Sequence, residues 1–327
     1  MPLLLRESHL HALLTMRELI PLMERTLAAF STGAAVQPLR PVIPVEAHRG
    51  FLGVMPAYLV TQEAIGLKAV SVYPGNPARG LPSHLATILL VDAETGALLA
   101  VMDGRLVTEM RTAAVSAAVT ARLAGRAVRE LALLGAGVQA RSHLHALREV
   151  APLAGVRVWS RTRDAAERFA AEMHERLGLQ VVAVRSPHDA VRGADVVCTV
   201  TSSTTPVLEG RWLEPGIHVN AVGAARPDWR ELDVDAVARS RLFVDSRASV
   251  VAEAGDLVVP LQAGELAAAH IQAEVGEVFA GTHPGRTHPD EITLFESVGL
   301  AVEDVAAAKL AYERALARGI GDEISLA

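Results

Sequence analysis

The chain has 327 residues, half of them apolar, a formal net charge of −6 and one cysteine. That length is a prior for about two domains with a sizeable core, and the low aromatic content, with Ala, Val and Leu dominant, suits an α/β protein. The mild negative charge, with no Lys/Arg block, excludes nucleic acid and an acidic membrane surface from the expected partners. Charges at Arg6 and Glu7 come too early for a signal peptide, and no apolar run reaches membrane-span length. A cytoplasmic protein with no membrane attachment is therefore expected. Cys198, in the apolar run ADVVCTVT, has no partner for an intramolecular disulfide or a thiolate metal cluster. It reads as a core residue.

In chain order, the first 110 residues carry apolar runs at 52–60 (LGVMPAYLV), 66–74 (GLKAVSVYP) and 84–104 (HLATILLVDAETGALLAVMDG). These read as strands joined by turns, with DAETG a hairpin signal. They predict an antiparallel or mixed sheet in a domain of its own. Three cations stand out there: Arg40 between prolines in VQPLRPVIP, Lys68 on the apolar strand GLKAVSV, and Arg111 in TEMRTAAVSA at the start of a small-residue helix. A cation on a buried strand is costly unless paired. A converging Arg/Lys set binds a carboxylate, arginine in bidentate fashion. Ser83 and His84 open the strand LPSHLATILL and are candidates for the same site. The plainer alternatives are a lysine that snorkels to the surface and a structural histidine.

From 130 to 246, strand patterns alternate with helical ones. Strands are expected at 130–135, 156–160, 181–184, 194–201, 216–223 and 241–245, and helices at 138–150 and 163–177. Such alternation predicts a Rossmann-type doubly wound parallel sheet. The first strand runs into Gly135-Ala136-Gly137-Val138-Gln139-Ala140 and then a helix. In that context the glycines mark a dinucleotide loop, with alanine an accepted third residue. The amides of Ala136, Gly137, Val138 and Gln139 then face phosphate at a helix N-terminus. At the end of the second strand, an acid would bind the ribose of NAD and an arginine the 2′-phosphate of NADP. The residues there are Ser160, Arg161 and Thr162, with no acid before Asp164. One guanidinium and two hydroxyls suit a phosphate, so NADP(H) is the preferred cofactor and NAD(H) the other possibility. His143 and His145 are two apart and point to different helix faces, so no metal is expected. The run 297–317 (SVGLAVEDVAAAKLAYERALA) reads as one long amphipathic helix packing back on the N-terminal domain. Residues 1–113 and 301–327 are assigned to a smaller α+β substrate-binding and dimerisation domain, and 114–300 to the dinucleotide-binding domain.

The stretches VQPLRPVIPVEAHRGFLGVMPAY, LPSHLATILL, LLAVMDG, RTAAVSA, GAGVQA, NAVGAARPDWREL, GEVFAG and SVGLAVEDVAAAKLAYE together resemble the ornithine cyclodeaminase/mu-crystallin family, most of all its ketimine-reductase branch. The resemblance spans nearly the whole chain. It implies a homodimer in which the substrate-domain sheet pairs with that of a second subunit. It implies that Arg40, Lys68 and Arg111 hold the substrate carboxylate and that Ser83 and His84 line the pocket. Ser160, Arg161 and Thr162 match an NADPH-phosphate patch, and Val222, Gly223 and Ser297 fall with the cofactor contacts. One departure is informative. Ornithine cyclodeaminases carry an aspartate two residues after the glycine of the NAVG strand; here Ala225 stands there, with Asp228 three residues later. Oxidising an amine and cyclising it needs a positioned base, whereas reducing a ready-made imine needs the carboxylate held and the nicotinamide at near-attack distance. The expected activity is NAD(P)H-dependent reduction of a cyclic ketimine carboxylate, such as Δ1-piperideine-2-carboxylate or Δ1-pyrroline-2-carboxylate. The alternatives are an alanine-dehydrogenase-like or N-alkyl amino acid dehydrogenase, an ornithine cyclodeaminase, and an NADPH-dependent binding protein for a small hydrophobic acid.

Overall fold

The computed structural model describes residues 1–325; the last two residues of the 301–327 stretch lie outside it. The chain divides into two compact units. One comprises Met1–Arg111 with the chain from Leu300 onward, and the other Thr112–Gly299. The second is thus an insertion in the first.

The first unit opens with β1 (Leu3–Leu5), α1 (Glu7–Leu13), α2 (Met16–Ser31), β2 (Ala35–Val36) and β3 (Val42–Val45). The long strands β4 (Gly50–Leu59), β5 (Ala64–Val72), β6 (His84–Asp92) and β7 (Leu98–Asp103) follow, and α3 (Gly104–Leu123) carries the chain across the boundary. The strands alternate inward and outward residues, as a sheet with one covered face requires. Register fixes which side chains share a face. Met55, Lys68 and Ile88 lie side by side across β4, β5 and β6, on the buried face. Ile43, Leu52, Ser71 and Leu85 form a row on the opposite face, and its three apolar members are exposed. Asp92 closes the β6–β7 turn by accepting from the amides of Glu94 (3.2 Å) and Thr95 (2.8 Å).

The inserted unit comprises β8 (Glu130–Leu134), α4 (Val138–Val150), β9 (Gly155–Trp159), α5 (Arg163–Leu177), β10 (Gln180–Ala183), α6 (Pro187–Val191), β11 (Val196–Thr199) and β12 (Thr204–Leu208). It continues through β13 (His218–Ala221), β14 (Arg230–Leu232), α7 (Val234–Ala238), β15 (Arg241–Val244), α8 (Arg247–Glu253), α9 (Gly255–Gln262), β16 (Ile271–Glu274), α10 (Val275–Phe279) and β17 (Thr293–Glu296). Eight of these strands form one sheet in the order β10-β9-β8-β11-β13-β17-β15-β16, every neighbour parallel. β12 and β14 form a separate parallel pair. The central strands β11, β13 and β17 are buried at every residue, as helices on both faces demand. Chain order reverses between β8 and β11. That is the switch point where doubly wound sheets bind ligands, beyond the carboxyl ends of the strands.

The chain then returns to the first unit as α11 (Ala301–Arg318) and β18 (Asp322–Glu323). The first sheet thereby becomes mixed: β1 pairs in parallel with β7 and antiparallel with β18. The buried face is covered by α11, which packs on β4, β5 and α2. Arg314 anchors α11 through Glu18 and the Leu13 carbonyl (2.8 Å). The helix expected over 297–317 starts only at Ala301. Asp245 Oδ2 accepts from the amides of Val298 and Gly299, both at 2.8 Å, and holds the preceding residues out of helical geometry. Among the described residues no helix is long and apolar enough to cross a membrane.

Candidate active site

Lys68 is 2% exposed, on the covered face of the first sheet. Its Nζ lies 2.7 Å from Asp304 Oδ2 on α11 and donates to Thr108 Oγ1 on α3 at 3.2 Å. Arg111, equally buried, donates from Nε to Asp304 Oδ1 at 2.9 Å and from Nη1 to Glu303. Two cations and two carboxylates thus share one dry pocket, which makes the burial of each tolerable. Arg40 reaches the same face. Its Nη1 approaches Met55 Sδ at 3.6 Å, and Met55 is the cross-strand neighbour of Lys68. His84 sits at the start of β6, and its imidazole feels Lys68 and Arg111. Burial, then those two cations, bring it down to about 4, so it is neutral at neutral pH. Burial also brings Lys68 down to about 8, against the upward pull of Asp304. For Arg111, burial works against the charge, but Asp304 and Glu303 more than offset it. Ser83 is exposed; its carbonyl accepts from the Tyr73 amide at 2.8 Å.

Glu303 and Asp304 are absent from the candidates drawn from the sequence. Acids in the first turn of a helix are ordinary surface residues that favour the helix dipole. Their only signal is that they interrupt the run AVEDVAAA, every residue of which is buried.

In the inserted unit, Gly135 takes φ +120 between β8 and α4, where a Cβ would stand 2.7 Å from the Val200 carbonyl oxygen. Gly137 caps α4, and nothing lies within 4 Å of where its Cβ would be. Arg141 Nη1 donates to the carbonyls of Ala136 (3.0 Å) and Gly137 (3.1 Å). In trans peptides the following amides then point the other way, which turns the N–H groups of Gly137 and Val138 outward. Gln139 Oε1 is buried without a hydrogen-bond partner, and Ala140 is fully buried where helix meets strand. An open cradle with outward amides fits the pyrophosphate of a dinucleotide. Ser160 is half-buried, and Arg161 and Thr162 are exposed just before α5. Arg163 is tied to Glu167 at 2.6 Å, whereas Arg161 has no ion-pair partner among the described residues. Thr162 is the N-cap of α5 but makes no side-chain capping bond.

Behind the strand ends lies a second set of residues that sequence reasoning passed over. Glu231, fully buried on β14, accepts from Thr201 N at 2.5 Å and from Gly223 N at 2.7 Å. One carboxylate thereby ties the loop after β11 to the loop after β13, which carries Val222 and Gly223. A Cβ on Gly223 would run into the Thr201 carbonyl and the Glu231 carboxyl. Asp256 Oδ1 accepts from the amides of Glu231 (2.9 Å) and Leu232 (3.0 Å) and so holds β14. Asp245 takes Ser297 Oγ at 3.2 Å, besides the amides at the end of β17. Burial raises Glu231 to about 7 and Asp245 to about 6. Their sequence signal is one acid in each of the apolar stretches WREL, LFVD and AGDLVV.

The family model for ornithine cyclodeaminase/mu-crystallin proteins matches residues 2–319. The chain belongs to this family. Among its relatives is the protein named ketimine reductase mu-crystallin of Mus musculus, 47% identical over 298 residues that cover 90% of this chain and 91% of that one. A solved structure of Thermococcus litoralis Δ1-pyrroline-2-carboxylate reductase, in complex with NADH and L-proline, superposes with a TM-score of 0.96. It is 44% identical and covers 98% of this chain and 100% of its own. An archaeal alanine dehydrogenase dimer with bound NAD gives a TM-score of 0.94 at 34% identity, covering 100% and 99%. Ala225, two residues after Gly223, is half-buried. Asp228 is exposed and accepts from Arg226 Nε at 3.0 Å. His143 is likewise engaged in structure, bonded to Ser116 Oγ (2.9 Å) and the Gln139 carbonyl (2.8 Å).

Proposed function

We propose that the protein is an NAD(P)H-dependent ketimine reductase, reducing cyclic imines that carry a 2-carboxylate to the corresponding cyclic amino acids. The observation that carries this reading is the buried pair Lys68 and Arg111 with the half-buried Arg40, converging on one face in a chain 44% identical to a reductase solved with NADH and L-proline. L-Proline is what Δ1-pyrroline-2-carboxylate becomes on reduction, so a carboxylate and a ring nitrogen are the groups the site must recognise.

Arg40 and the remaining Nη2 of Arg111 bind the carboxylate by charge-assisted hydrogen bonds. When bound, a reduced nicotinamide would supply the hydride for the imine carbon. Lys68 Nζ gives its proton to the imine nitrogen, so that C=N becomes CH–NH and the ammonium becomes an amine, which is reprotonated once the product leaves and solvent enters. His84, neutral at neutral pH, lines the pocket with Ser83 and is not the donor. Burial excludes water from Lys68, which strengthens its electrostatic hold on the substrate. The loop from Gly135 to Gln139 cradles the pyrophosphate, while Val222, Gly223 and Ser297 border the nicotinamide half. Ser160, Arg161 and Thr162 take the 2′-phosphate, which makes NADP(H) the preferred cofactor. Support for that choice is the unpaired Arg161 guanidinium and the absence of an acid at the end of β9. The exposed row Ile43, Leu52 and Leu85 supports a homodimer formed through the first sheet.

The test is NADPH and NADH oxidation with Δ1-piperideine-2-carboxylate and Δ1-pyrroline-2-carboxylate, beside ornithine with NAD. Rapid oxidation with an imine and silence with ornithine is the expected result. Ammonia release from ornithine would restore cyclodeamination. The likeness to an alanine dehydrogenase motivates a second reading, reductive amination of a 2-oxo acid. Faster turnover with pyruvate and ammonia than with either ring would favour it.

A further inference from the structure

Lys68 and Lys309 are the only lysines in the chain; the rest of its 31 basic residues are arginine. Lys309 lies on α11 and pairs with Glu313 at 3.2 Å. Lys68 is the opposite case, a fully buried ammonium on a central strand. Arginine stays protonated in proteins, whereas a buried lysine gives up its proton readily. The chain therefore places a cation that can give up its proton at the centre of the pocket.

Charged and titratable groups face that ammonium from every element around it. Asp304 and Glu303 come from α11, Arg111 from α3, Arg40 from the segment before β3, and His84 from β6. With His84 neutral, three cations stand against two carboxylates. Only one carboxylate touches Lys68. Asp304 spends one oxygen on each cation, Oδ2 at 2.7 Å from Lys68 Nζ and Oδ1 accepting from Arg111 Nε at 2.9 Å. Glu303 backs Arg111 from its other nitrogen. Asp304 is 0% exposed, so solvent does not replace it.

We propose that Asp304 is a positioning residue of the reductive site, a shared counter-ion that keeps Lys68 charged and fixes it beside Arg111. The substrate it serves rests on the ketimine-reductase reading; its action on Lys68 does not. Without its charge, the Lys68 ammonium faces Arg111 and Arg40 in a dry pocket, and both burial and like charge favour losing the proton. Without Asp304, Lys68 keeps the proton for the imine nitrogen only at lower pH.

Two lysines make the test direct. Protein labelled with carbon-13 at lysine gives two side-chain resonances, and Lys309→Arg assigns them. In the wild type, Lys68 is expected to titrate near 8. In Asp304→Asn, its midpoint falls by about one pH unit or more. Asp304→Glu lies between. The alkaline limb of kcat/KM for imine reduction moves down by the same amount in Asp304→Asn. A Lys68 midpoint unmoved in Asp304→Asn overturns the proposal, as does activity lost equally at every pH with the limb in place. Should Asp304→Asn not fold, an unmoved midpoint in Asp304→Glu overturns it equally. A moved midpoint in a protein that reduces no imine would sink the functional reading and leave the Asp304–Lys68 coupling standing.

Discussion

Arg40 is a cleaner probe of carboxylate binding than Arg111. Removing Arg111 takes one cation away from two buried carboxylates, Glu303 and Asp304, a loss of about 3–5 kcal/mol of stability that would mask any kinetic effect. Arg40 is only half-buried, and its Nη1 approaches Met55 Sδ at 3.6 Å. Arg40→Ala is expected to cut kcat/KM for a carboxylated imine by roughly 10²-fold, about 3 kcal/mol, with little change in Tm. Steady-state kinetics alongside calorimetry decides it, and unchanged kinetics removes Arg40 from the clamp. Arg161→Ala is expected to raise the KM for NADPH about tenfold and leave that for NADH nearly unaltered. Equal effects would mean that the phosphate is read elsewhere. Lys68 and Arg111 were legible because a charge inside an apolar run is conspicuous. Their partners were not, because Glu303 and Asp304 imitate the acids that begin any surface helix. Which face they meet depends on how α11 packs on β5, and no local pattern encodes that packing.

At the level of elements, β16 and the buried β17 were passed over, but the other six strands of the parallel sheet were legible as apolar runs. The short pair β12 and β14 was not, with three to five residues each and no such run. Yet β14 carries Glu231, which ties two loops at the switch point together. Glu231→Gln keeps the shape but turns one acceptor into an N–H facing another N–H. The unmade bond costs about 1–3 kcal/mol, part of it as disorder in the loop bearing Val222 and Gly223. Weaker NAD(P)H binding by about tenfold, read as a Kd from nicotinamide fluorescence, is the expected outcome. A Kd equal to that of the wild type would make Glu231 purely a fold residue. The start of α11 teaches the same lesson. The amphipathic pattern runs back to residue 297, but Asp245, more than fifty residues upstream, holds the amides of Val298 and Gly299 in another geometry.

For the whole molecule, the outer face of the first sheet presents Ile43, Leu52 and Leu85 in register, with Val36 and Leu39 exposed nearby. An apolar patch of this kind on a sheet calls for a partner surface, and a second copy of the same sheet is the proposed one. Ile43→Lys places a charge in the row and is expected to shift the protein from dimer to monomer in sedimentation. A dimer that persists would put the interface elsewhere.

The division of the chain has a consequence for its synthesis. The first unit is closed by both ends of the polypeptide: β1 lies between β7 and β18, and α11 covers the sheet. Arg111 and its counter-ion Asp304 are separated by 193 residues. At ordinary translation rates, about 10 to 40 s pass between the emergence of the two. Only towards the end of that interval does the Rossmann unit have its whole sequence and close, while Lys68 and Arg111 wait throughout it without the carboxylates that neutralise them. The sheet made first on the ribosome is completed last, and its apolar face stays open until α11 leaves the tunnel.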